Sequence, residues 1–150
     1  MNAMAPTRPT ELQVCRVRLT ASPAAAGEAR GQVRAAIRAW DIPVEEDIAV
    51  LLTSELVTNA IGHEAGGSIT LAVTCSFGQL RVDVHDTSRT LPVLVYAAAD
   101  AEAGRGLMLV ASLSATWGIY RTPAGKAVYF TLAFDPGPSG GDGRAQTWGL

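Results

Sequence analysis

The stretch Ser68–Val84, SITLAVTCSFGQLRVDV, sets apolar side chains at every second position. Ile69, Leu71 and Val73 precede a Cys75-Ser76-Phe77-Gly78 turn, and Leu80, Val82 and Val84 follow it. Strand side chains alternate between faces, so this pattern predicts a β-hairpin with one face buried. A second hairpin is read downstream from Trp117–Arg121, the turn Pro123-Ala124-Gly125 and Ala127–Phe134. Upstream, Val14–Leu19 sets Val14, Arg16 and Arg18 among apolar neighbours and reads as a first strand.

Between the strands the period becomes helical. Pro23 opens an Ala-rich run in which Val33, Ile37 and Trp40 recur at three- and four-residue spacing, with Arg30, Arg34 and Arg38 on the other side. Asp41-Ile42-Pro43 breaks that helix. Pro43 followed by Glu45, Glu46 and Asp47 starts a second one that runs to about His63, because proline suits the first helical position and carboxylates suit the positive dipole end. Thr87–Ala103, with Pro92 and many alanines, reads as an irregular loop; Gly104-Arg105-Gly106 then precedes a short helix over Leu107–Leu113. Strands joined by tight turns favour an antiparallel or mixed sheet, and the helices must bury their apolar stripes on one of its faces. The expected class is a two-layer α/β (α+β) sandwich with a mostly antiparallel sheet. Residues 1–13 read as a flexible arm, 14–134 as one domain and 135–150, dense in Gly, Pro and Ser, as a disordered tail.

Composition narrows the function. Of 150 residues, 48% are apolar and 17% charged, as in compact globular proteins. The net charge of -2, with eleven arginines and the single Lys126 scattered along the chain, offers no basic stripe for nucleic acid. No window holds about 18 uninterrupted apolar residues, and Met1–Gln13 lacks the apolar middle of a signal peptide, so a cytoplasmic protein without a membrane partner is expected. Cys15 and Cys75 have no CxxC spacing or neighbouring His. They read as reduced core residues, with a disulfide between them as the alternative.

The second helix is apolar enough to be covered, so its polar residues need a reason. Glu55 and Asn59 stand four apart on one face, and His63 continues the line. An ionised Glu buried without a partner costs several kcal/mol, so the pair meets a cation, finds hydrogen bonds or lines a wet cleft. Mg²⁺ fits the first option, since it takes one or two protein oxygens and completes its shell with water and phosphate. The alternative is a pair that faces solvent or satisfies loop backbone. Asp86 closes the strand Val82–Asp86 and points inward with Val82 and Val84. It either accepts a hydrogen bond from a group such as the adenine amine or begins a turn with Thr87 and Ser88. Glycines at a helix entrance let backbone N–H groups approach an anion, and Arg105 could add charge-assisted bonds. Lys126, on a hairpin turn, could reach phosphates or be solvated. His63 and His85 read as structural or surface residues, and Ser54, His63 and Asp86 lack the nucleophile elbow of a hydrolase.

Glu55-Leu-Val-Thr-Asn59-Ala60, Asp86 after a strand, Gly104-Arg-Gly106-Leu107, Trp117-Gly118 and Gly125-Lys126 occur in that order. In this the chain resembles the GHKL (histidine-kinase-like) ATPase superfamily over Val14–Phe134, and is most similar to the bacterial anti-sigma-factor serine kinases. The resemblance implies a nucleotide site for ATP and Mg²⁺ made by Asn59, Asp86, Ser88, Gly104, Arg105, Gly106, Leu107 and Lys126. Within it, Asn59 is the metal ligand, Asp86 the adenine acceptor and Thr87–Ala103 a lid. It further implies Glu55 as general base for phosphoryl transfer to a serine of an anti-sigma-factor antagonist, a sigma factor as second partner, and a homodimer. A catalytically inactive ATP-binding regulator acting by stoichiometric contact is the alternative. Ser88 stands where the superfamily has glycine, Gly62 where relatives commonly have arginine, and the lid is short.

Overall fold

The structure, a computed structural model, describes residues 12–63, 67–87 and 102–137. The expected arm and tail lie almost wholly outside these residues, as do Ser88 and most of the expected lid. In chain order the elements are β1 (Gln13–Thr20), α1 (Ala25–Ala39), α2 (Glu46–His63), β2 (Ser68–Ser76) and β3 (Gln79–Asp86). There follow α3 (Glu102–Leu113), β4 (Thr116–Thr122) and β5 (Gly125–Ala133). The strands form one sheet in the order β1-β2-β3-β5-β4, with every neighbouring pair antiparallel. With the helices packed on one side, this is the expected α/β sandwich.

Alternation in the strands makes the core. Leu71, Val73, Val82, Val84, Val128 and Phe130 are all buried, and they meet Val33 and Ile37 of α1, Leu52 and Leu56 of α2, and Leu107 and Val110 of α3. Each such side chain contributes about 1.5–3 kcal/mol when fully buried. Helix α2 is the central one, touching α1 and α3 and lying over β3 and β5. Being covered on several sides, it has no need of a polar stripe, which is why its sequence is apolar around most of its circumference.

The arginines of α1 turn toward α2. Arg34 Nε and Arg38 Nη2 lie 3.0 and 2.9 Å from Glu46 Oε2, and Arg30 Nη1 donates to Ser54 Oγ at 2.9 Å. The Arg38 bond holds the Glu46 carboxyl below its usual range. Helix α1 ends at Ala39, and two residues on Asp41 takes a left-handed φ of 53° while the Ile42 N–H returns to the Ile37 carbonyl at 2.9 Å. Helix α2 begins at Glu46 and not at Pro43. The Glu45 carbonyl receives the first helical N–H groups, from Ile48 and Ala49, both at 3.1 Å.

A larger correction concerns α3, which starts at Glu102. Gly104-Arg105-Gly106 therefore lies inside the helix and not before it. Glycine costs about 1 kcal/mol in a helix relative to alanine, so the sequence reads as a loop there. Packing against α2 overrides that preference. Cys15 and Cys75 form no disulfide among the described residues. No helix among the described residues is long and apolar enough to cross a membrane.

Candidate functional site

Two clusters of predicted residues form on the helix-bearing side of the sheet. The first lies where α3 packs on α2. Gly106 is buried there, and a Cβ built on it would come within 2.3 Å of Glu55 Oε1. A glycine at this position lets the α3 backbone reach the carboxylate, a contact any side chain would block. Leu107, the next residue, is 2% exposed and fixes the helix in the core. Gly104 falls in the first turn of α3, where backbone N–H groups lack intrahelical acceptors and the helix dipole is positive. The side chains of Arg105 and His63 lie outside the described residues.

Asn59 sits one helical turn beyond Glu55. It is 3% exposed, yet among the described residues neither its Oδ1 nor its Nδ2 has a hydrogen-bond partner. A buried amide left in this state costs about 1–3 kcal/mol, and nearly all such groups in proteins are paired. Thr53, buried on the same helix, shows the ordinary solution: its hydroxyl donates to the Ala49 carbonyl at 2.8 Å. Asn59 has no such arrangement. Its amide oxygen suits a hard cation, and Mg²⁺ held jointly with phosphates needs only one or two protein oxygens. Among the described residues no three His, Cys, Asp or Glu side chains gather as an all-protein metal site would require. One amide oxygen is a donor that could serve a metal arriving with a phosphate ligand.

The second cluster is at the far ends of β3 and β5. Asp86 and Lys126 face each other across the ladder, and Lys126 Nζ is ion-paired with Asp86 Oδ2, the two side chains being 0% and 1% exposed. The inward orientation predicted for Asp86 holds. The solvated alternative for Lys126 does not, because the side chain follows the inward period of Val128, Phe130 and Leu132. That period, extended one step toward the turn, was the available signal. Gly125 was noted in the turn and in the Gly125-Lys126 pair, but without a role of its own. A Cβ there would lie 2.2 Å from the Asp86 carbonyl oxygen and 2.6 Å from Thr87 Cα, so only glycine lets the chain leaving β3 cross this closely.

The structure therefore brings Glu55 against Gly106, with Asn59 a turn away, and pairs Asp86 with Lys126. Ser88 lies outside the described residues. Among known proteins, a family model described as the histidine kinase-like ATPase domain matches residues 19–132, from the end of β1 through β5. No curated protein matches the chain.

Proposed function

Because the chain belongs to the histidine kinase-like ATPase domain family, we propose that it binds ATP with Mg²⁺ and acts as a cytoplasmic, dimeric anti-sigma-type protein serine kinase. The observation that carries this reading is the buried, unpartnered amide of Asn59, one turn from a Glu55 carboxylate seated against Gly106 of α3. Asn59 would supply an oxygen to Mg²⁺, and the first turn of α3 would supply N–H donors to phosphate. Held there, Mg²⁺ would supply positive charge to offset that of the phosphates.

Glu55 then has the role of general base. It takes the proton of a serine hydroxyl on the partner, an anti-sigma-factor antagonist. The serine oxygen bonds to the γ-phosphorus as the bond to the β–γ bridging oxygen breaks, and ADP leaves. A sigma factor is the second partner, held in one state of the protein while the antagonist is phosphorylated in another. Asp86 accepts from the adenine amine, sharing its carboxylate with Lys126.

Ser88 in place of a glycine and the short Thr87–Ala103 segment favour a second reading, an ATP-binding module that regulates by contact without turnover. Incubation with γ-labelled ATP, Mg²⁺ and the antagonist separates the two. Phosphoserine on the antagonist is expected. Nucleotide binding with no transfer defeats the kinase and leaves the binding module, and no nucleotide binding defeats both.

A further inference from the structure

The face of the sheet turned away from the helices carries a different chemistry. Register aligns Arg18, Thr70 and His85 in one row across β1, β2 and β3, and Arg16 stands two residues before Arg18 on the same face. They line a groove of about 570 Å³ together with Ser68, closed at one end by Pro123 of the β4–β5 turn. This is within the range of small-ligand sites, roughly 300–1,000 Å³.

Charge on this face is unbalanced. Its one carboxylate among the described strands is Asp83, 6% exposed and fully engaged. Arg81 forks onto it with Nε and Nη2 at 2.8 and 2.9 Å, and the Tyr120 hydroxyl donates to it at 2.8 Å. Arg81 also lies 4.0 Å over the Tyr129 ring, which fixes the fork. Nothing comparable meets Arg16 or Arg18, which make no ion pair among the described residues. His85 lies edge-on to Tyr120, and its pKa is lowered chiefly by burial, with Asp83 opposing and the charges of Arg16 and Arg81 adding to the lowering.

Two guanidinium groups, an imidazole and the hydroxyl residues Ser68, Thr70, Thr87 and Thr122 line a space much larger than one oxyanion, and Asp86, which also lines it, has its carboxylate ion-paired with Lys126. Arginine forks match phosphate oxygens, and the remaining room suits an organic substituent against the Pro123 wall. We infer that this groove binds a small soluble phosphomonoester, at a site on the opposite side of the sheet from Glu55 and Asn59.

The test follows the ring resonances of His85 by NMR while the full chain is titrated with phenyl phosphate and, separately, inorganic phosphate. Saturable shifts are expected from both, with phenyl phosphate the tighter. Arg16→Gln and Arg18→Gln, both on exposed positions of an edge strand, should each weaken binding by about tenfold or more. Asn59→Ala should leave it unchanged. The inference is overturned by an absent shift, by equal affinity in the arginine variants, by loss in Asn59→Ala, or by inorganic phosphate binding as tightly as phenyl phosphate. It is also overturned if the His85 resonances follow protein concentration and not phosphate, which would make this face an interface between copies.

Discussion

Gly106 of α3 stands so close to Glu55 of α2 that a Cβ on the glycine would overlap Oε1, at 2.3 Å. The atom in the way is the far end of a flexible side chain, so the carboxylate and not the helix would yield. Gly106→Ala should therefore keep or slightly raise stability, by up to about 1 kcal/mol from helix propensity. Phosphoryl transfer should fall by about 10²-fold, because the base is displaced by an ångström or more. Thermal melts and single-turnover assays on the same preparation check both halves. Full activity in the alanine variant would remove Glu55 from the proposed chemistry.

Asn59→Ala and Glu55→Gln should separate binding from transfer. Asn59→Ala deletes a buried amide that has no partner, so the ligand-free protein should be as stable as the parent or up to about 2 kcal/mol more so. The same variant should lose the thermal shift that ATP-Mg²⁺ gives the parent. Glu55→Gln should keep that shift and lose transfer. An Asn59→Ala protein stabilised by ATP-Mg²⁺ as the parent is would overturn the metal assignment.

Lys126→Met should cost up to about 3–5 kcal/mol, because it removes the ammonium that faces the buried Asp86 carboxylate. Replacing both partners, as Asp86→Leu with Lys126→Met, should recover much of the loss, since a buried ion pair and a well-packed apolar pair are often of similar stability. Urea denaturation of the two variants measures this. A single variant as stable as the parent would mean that the ion pair does not hold the ends of β3 and β5.

His85 should make stability depend on pH in the acid direction. Its folded pKa is pushed below the usual 6.5, chiefly by burial, so the unfolded chain takes up the proton first. Stability from this group is complete above the unfolded value and is lost as pH falls from about 6.5 through the folded value. Subtracting the pH profile of His85→Gln from that of the parent isolates the effect. A difference that is flat, or that grows toward low pH, would contradict the burial of the ring.

The sheet was legible because its periods are simple: Ile69, Leu71 and Val73 before the turn and Leu80, Val82 and Val84 after it recur at every second position, and the hairpin they predict is the one observed. Asp86 followed from the same alternation. The α3 start was not legible, because two glycines in five residues weigh against a helix and the compensating contact with Glu55 comes from a segment about fifty positions away. Lys126 was read by residue type, and a lysine beside a turn is ordinarily wet. Only the opposing Asp86, set across from it by the β3–β5 register, makes its enclosure tolerable. Asn59 could be singled out as polar on an apolar helix. That both ends of its amide lack protein partners is a property of packing that no spacing reveals.

The enclosed Lys126 is also the chain's sole lysine. Apart from a chain terminus, the folded protein offers solvent no primary amine. Acylating reagents, aldehyde fixatives and enzymes that modify lysine tails can reach that nitrogen only when the sheet opens, so the rate of its acylation reports directly how often it does.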